Sequence, residues 1–134
     1  RDAPIMAERI HEAGIRPSLI LSSPAVRAWT TAKVVAHELH YPLEFLQREH
    51  DLYIASKRQL LEVVRRQDEG FNNILLVGHN PGLTDLANYL VPGLTGNLPT
   101  CAVVSVNIEL DHWDLQADAK KTLVLYDYPK KSRK

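Results

Sequence analysis

Apolar residues recur along this chain with two different periods, and the alternation between them sets out an architecture. Ala3, Met6, Ile10 and Ala13 fall three or four residues apart, one face of a helix over about Asp2–Ala13 that Gly14 is suited to stop. Ser18–Ser22 is a short apolar run between Pro17 and Pro24, the mark of a buried strand. Ala25, Ala28, Trp29, Ala32, Val35, Ala36 and Leu39 then trace the apolar stripe of a long helix ending near His40. Leu43–Leu46 reads as a weak strand, followed by a loop through Tyr53. Leu60, Leu61 and Val64 give a third helix over Ser56–Gln67. Asn73–Val77 is the strongest strand, and Pro81–Val91 a fourth helix. Ala102–Leu110 and Thr122–Tyr126, both rich in β-branched residues, read as two late strands.

Strands alternating with helices imply an α/β fold, a three-layer sandwich with a mostly parallel central sheet and helices on both faces. Two late strands with no helix between them imply an antiparallel pair at one sheet edge. No repeat or linker divides residues 1–134, so the pattern is that of one domain. A helix at the very start, with no strand before it, leads to the expectation that a first strand is missing and that the sequence is a fragment.

Composition narrows the class. With 45% hydrophobic and 24% charged residues, the chain is suited to one globular domain. Its one cysteine, Cys101, excludes an internal disulfide and a zinc site of several thiolates; before a strand, it is expected to be buried and inert. No apolar run approaches the roughly 20 residues that span a bilayer, and no leader pattern opens the sequence, so the expected compartment is the cytoplasm. Formal charge is zero, but Lys130, Lys131, Arg133 and Lys134 crowd the end. They read as a solvated tail. No basic stripe marks the body, so neither nucleic acid nor membrane is an expected partner.

Chemistry concentrates in two turns of like grammar. Leu19–Ser22 leads into Ser23-Pro24 and a helix; Leu75–Val77 leads into Gly78-His79-Asn80-Pro81 and another. Each proline suits a first helical position, with Ser23 or Asn80 as N-cap. Both turns then lie at carboxyl ends of strands, the edge where open parallel sheets bind ligands, with helix N-termini suited to an anion. Arg27, one turn behind Ser23, can grip phosphate oxygens bidentately. His79 can hydrogen-bond a phosphoryl oxygen, and Gly78 would let it sit close. Ser23, Gly78 and Asn80 join Arg27 and His79 as the expected phosphate-binding set.

The run Ser22-Ser23-Pro24-Ala25-Val26-Arg27-Ala28-Trp29-Thr30-Thr31-Ala32 resembles the Ser-Ser-x-x-x-Arg-Ala-x-x-Thr-Ala signature of the histidine phosphatase superfamily. Val77–Leu83 resembles the Gly-His-Asn-Pro motif of its SixA-like phosphohistidine phosphatase branch, and Asp51–Ser56 that branch's Leu-Tyr-x-Ala-Ser segment. The resemblance implies a phosphoglycerate mutase-like fold. It implies a metal-independent phosphatase, without cofactor, that hydrolyses a phosphohistidine or other phosphomonoester through a covalent phosphohistidine. Substrates would be a phosphorylated protein or a small phosphomonoester. By the resemblance Arg27 is one of two phosphate arginines and His79 the second histidine, and Glu49 or Asp51 falls where a general acid would lie.

The family's nucleophile sits in an N-terminal Arg-His-Gly or Arg-His-Ala motif that this sequence lacks; Arg9-Ile10-His11 is not it, because His11 lies within a helix. Residues 1–134 alone are therefore expected to be inactive. The alternative is a non-catalytic phosphate-binding or interaction domain that kept the fold without the nucleophile. Nucleotide-binding glycine loops are absent. His37 and His40 are a possible metal pair without a third ligand at recognisable spacing, and read as exposed helix histidines. Trp29 reads as core. Oligomeric state is not legible.

Overall fold

The structure, a computed structural model, describes residues 2–109, 113, 115 and 119–131; Leu110, His112, Arg133 and Lys134 lie outside these. Among the described residues the element order is α1 (Asp2–Glu12), β1 (Leu19–Ser22), α2 (Val26–Glu38), β2 (Gln47–Arg48), α3 (Lys57–Arg65), β3 (Ile74–Val77), α4 (Gly82–Leu90), β4 (Val103–Ile108) and β5 (Lys121–Asp127). Helix α1 ends where expected, with Gly14 at φ +78°, a conformation that costs glycine little. Helix α3 starts from a reciprocal cap: Ser56 Oγ accepts from the Gln59 amide, and the Gln59 side chain accepts from the Ser56 amide.

Strands β2, β1 and β3 form a parallel sheet in that order, with Leu21 opposite Gln47 and Leu76, and Ser22 opposite Arg48 and Val77. Successive side chains on a strand face opposite ways, so β1 feeds two cores. Leu19 and Leu21 pack with Leu60, Leu61, Val63 and Val64 of α3 and Leu86 of α4. Ile20 packs with Ala32 and Ala36 of α2. Ala7 and Ile10 of α1 meet Val35 and Leu39 of α2 on that second side. This is the expected sandwich, with a mostly parallel central sheet and helices on both faces. No helix among the described residues is long and apolar enough to cross a membrane.

Four local expectations are corrected. Leu43–Leu46 is not a strand: a 3-10 turn covers Leu43–Phe45, and the strand follows at Gln47–Arg48. Only Leu46 of that run is buried, against the α2 side, while Leu43 and Phe45 stay exposed; the turn is what brings Gln47 level with Leu21. Neither Pro24 nor Pro81 is a first helical residue, since α2 begins at Val26 and α4 at Gly82. Ser23 does not cap α2, because its buried hydroxyl accepts from the Ala25 amide within a tight turn. Asn80 bonds the first turn of α4, but from one residue before the N-cap position, accepting from the Thr84 amide and hydroxyl.

The antiparallel pair β4–β5 is a two-stranded sheet of its own rather than an edge of the central sheet. It nevertheless shares cores with β3: Val103 packs on the core that takes Leu75, and Ile108 on the core that takes Ile74 and Leu76. At its end, buried Asp127 accepts from Arg9 of α1 at 3.2 Å, and Arg9 also donates to the Tyr128 carbonyl at 2.8 Å. That pair fastens the second sheet to α1.

Candidate active site

The carboxyl ends of β2, β1 and β3 are level with one another, and the chain leaves each of them into a turn that carries polar side chains. The Ser23 amide donates to the Val77 carbonyl at 2.9 Å, and the Glu49 amide to the Ser22 carbonyl at 2.8 Å. These bonds continue the ladder one residue past the strands and hold three turns together at one edge. The two signature turns therefore meet: His79 Nε2 lies 2.8 Å from Ser23 Oγ. Ser23 is fully buried, whereas His79 is half-buried.

Arg27 occupies the first turn of α2, directly behind that edge, and its side chain is exposed. It carries no hydrogen bond or ion pair among the described residues. An exposed guanidinium without a partner, beside a helix N-terminus, is suited to an oxyanion.

The loop after β2 supplies the third wall. The Tyr53 ring meets the His79 ring edge-on, with centroids 5.9 Å apart and an interplanar angle of 81°. Gly82 explains why this loop comes so close: a Cβ there would collide with the Ala55 carbonyl oxygen. Gly78 is different, since a Cβ there would meet nothing nearer than 3.8 Å; its expected close approach is not required by any protein neighbour.

Glu49 and Asp51 lie on this loop, and Arg66 from the end of α3 donates to both, at 2.9 Å each. Hydrogen bonding to Asp51, with support from Glu49, raises the guanidinium above its ordinary value. Each carboxylate accepts from Arg66 through one of its two oxygens. Asn80 is also engaged: its amide nitrogen donates to the Leu98 carbonyl at 3.0 Å while its oxygen serves Thr84. Those bonds tie the loop before β4 to the start of α4.

Three participants escaped the sequence reading. Arg66 lies fifteen residues beyond Asp51, with no local signal linking them. Arg48, at the end of β2, stacks its guanidinium over Trp29 at 4.1 Å from the ring centroid; Trp29 is half-buried, packed against the α2-side core as its apolar position led us to expect. Tyr53 stood in a recognised motif, but nothing local showed that it faces His79. Cys101 is half-buried at φ +60°, and burial pushes its thiol up, which disfavours the reactive thiolate. His37 and His40 are exposed, and no cluster of three or more metal-ligating side chains occurs among the described residues.

Among solved structures the chain resembles SixA from Agrobacterium tumefaciens. The TM-score is 0.78 at 22% identity, over 95% of this chain and 77% of that one. It also resembles the protein histidine phosphatase SixA complexed with tungstate, with a TM-score of 0.75 at 22% identity, over 96% of this chain and 79% of that one. No family model and no curated protein matches the chain. The likeness shows the fold: a mixed α/β domain of the SixA, phosphoglycerate mutase-like kind, as the motifs led us to expect.

Proposed function

We propose that this chain is the greater part of a SixA-like histidine phosphatase domain. It would hydrolyse a phosphohistidine or another phosphomonoester through a covalent phosphohistidine, without a metal ion. The observation that carries this reading is the meeting of Ser23 and His79 at 2.8 Å, at a strand-end edge that also holds the unpartnered Arg27. The shared fold supports it, since one of the similar proteins is complexed with tungstate.

In this reading Arg27 grips two phosphoryl oxygens and His79 donates to a third as charge redistributes. Phosphoryl transfer depends mostly on such positioning and charge stabilisation. Gly78 keeps the turn beside His79 free of a side chain, and Asn80 braces that turn through its side-chain bonds to Leu98 and Thr84. Glu49 and Asp51 are the candidates for proton donation to the leaving group, both held on the loop after β2 by Arg66.

The nucleophile belongs to a further strand ending in Arg-His-Gly or Arg-His-Ala, lying beside β3. The open edge of β3 supports this. Its four residues are only half-buried, and it pairs with β1 alone among the described residues, β4 belonging to another sheet. Strand groups left without ladder partners in a core are costly, and a parallel strand would satisfy them. A phosphorylated protein or a small phosphomonoester is the substrate, reached through the exposed Tyr53 and Arg27 side.

The test compares two proteins, one beginning at Arg1 and one extended upstream by about 30 residues, enough for a strand, a loop and the approach to α1. Activity toward phosphohistidine without metal is expected only in the longer one. In it, Arg27→Ala should cost on the order of 2–4 kcal/mol of transition-state stabilisation, and His79→Ala should lower kcat more than it raises KM. Equal activity in both proteins would place the nucleophile within these 134 residues and overturn the assignment. Phosphate binding without turnover in the longer one would make this a non-catalytic phosphate-binding domain.

A further inference from the structure

We propose that Ser23 is a positioning residue that fixes His79 as the Nδ1–H tautomer, so that Nδ1–H is the donor turned toward the ligand. The naming of phosphate as that ligand rests on the functional reading above; the tautomer does not.

The argument is one of hydrogen-bond satisfaction. A serine hydroxyl has one proton to donate and two lone pairs. Ser23 is 0% exposed, so water does not reach it. Its Oγ accepts from the Ala25 amide at 3.2 Å and lies 2.8 Å from His79 Nε2. The neighbouring Ser22 hydroxyl donates to the Ser23 carbonyl at 2.8 Å, and no hydrogen bond joins the two hydroxyls among the described residues.

Among the described residues, Nε2 is thus the acceptor left for that proton. Were Nε2 protonated instead, two donors would face each other unless the hydroxyl turned its hydrogen away, into a buried space with no acceptor. A buried donor without a partner is costly, so the arrangement selects an unprotonated Nε2. The tautomer of a neutral imidazole is set by the bond its other nitrogen makes, and Nδ1 must then carry the hydrogen.

Two further contacts hold the ring in this sense. A half-turn of the imidazole would put Cε1 where Nε2 meets Ser23 and lose the bond. Tyr53 lies edge-on against the same ring at 5.9 Å, restricting its rotation. Nδ1 has no hydrogen-bond partner among the described residues, so its hydrogen is free for a ligand. A neutral imidazole fixed in this way donates to an oxyanion without first having to be protonated.

The experiment is long-range 15N–1H correlation on protein labelled with 15N-histidine, at a pH where the imidazoles are neutral, with the His79 signal identified by its loss in His79→Gln. About a tenfold excess of Nδ1–H over Nε2–H is expected, the ratio that an ordinary buried hydrogen bond sustains. Ser23→Ala should turn His79 to mainly Nε2–H, the usual tautomer of a free histidine side chain. Ser23→Thr, which keeps the hydroxyl, should retain Nδ1–H. Should Ser23→Ala fail to fold, Ser23→Cys is read in its place, where a weaker donor should shrink the excess. A wild-type His79 that is mainly Nε2–H, or a ratio unmoved by removing the hydroxyl, overturns the proposal. Inorganic phosphate is then added to the wild type. A shift of the His79 nitrogens supports both readings, whereas an Nδ1–H tautomer indifferent to phosphate supports the positioning role and counts against the phosphate site.

Discussion

Strands β1 and β3 lie side by side in one sheet, paired in register over four residues, and end in the two turns that make the site. By sequence β3, Ile-Leu-Leu-Val, is the more apolar of the two; β1 is Leu-Ile-Leu-Ser. Burial runs the other way. Every residue of β1 is at most 1% exposed, including Ser22, while all four of β3 are half-buried. The difference lies in the neighbours. β1 has β2 on one side and β3 on the other; β3 has β1 alone among the described residues. Hydrophobic stabilisation follows the area removed from water rather than the identity of the side chain. A sheet position therefore earns its contribution from both flanks.

The largest expected effect tests that difference directly. Leu21→Ala in β1 removes a fully buried side chain and should cost about 4 kcal/mol, near the upper part of the range for such truncations. Leu76→Ala, its cross-strand partner, should cost about 2 kcal/mol in the 134-residue chain, because the site is already partly open. Urea unfolding of both variants measures the gap. In the version extended upstream, the Leu76 value should rise toward that of Leu21; an unchanged gap would show that no strand covers the β3 edge.

A middle-sized effect sharpens the comparison at the turn beyond β3. Although β3 has one bonded neighbour among the described residues, its following turn is packed tightly, with Gly82 against the Ala55 carbonyl. Gly82→Ala forces backbone apart and should cost about 2 kcal/mol. Gly78→Ala, with only ordinary contacts in prospect, should stay within about 1 kcal/mol of the wild type. Thermal melts of the pair separate the two glycines. The Tyr53–His79 contact should be lost in the first variant only, read from the His79 chemical shift.

The smallest effect belongs to the outer strand. β2 is short and exposed, and its following loop is held by Arg66 bonding Glu49 and Asp51. These are surface ion pairs, so Arg66→Ala should change stability by no more than about 1 kcal/mol. Its effect should appear in the loop, as faster amide exchange over residues 49–53. Exchange unchanged there would mean that the Gly82–Ala55 packing alone positions Tyr53.

What the sequence determined by itself is local in origin. Helical and strand periods located α1 to α4, β1 and β3, since apolar spacing reports directly which face of an element is buried. Gly14 announced a helix end through backbone chemistry confined to a few residues. Short motifs brought Ser23, Arg27 and His79 into view, because strand–turn–helix junctions of a parallel sheet share one edge. Other features were decided only when distant segments met. The run Leu43–Leu46 turned because one leucine of it, Leu46, found a core, and β2 formed where the turn delivered it opposite Leu21. Ser23 and His79 are 56 residues apart, and whether they touch depends on the register of β1 against β3. Arg66 found Glu49 and Asp51, Arg48 found Trp29, and Arg9 found Asp127 because charge recognition acts through space and leaves no period in the sequence. The separation of β4–β5 from the central sheet is of the same kind: β propensity marks residues suited to a strand, but the partner of a strand is fixed by the packing of the whole fold.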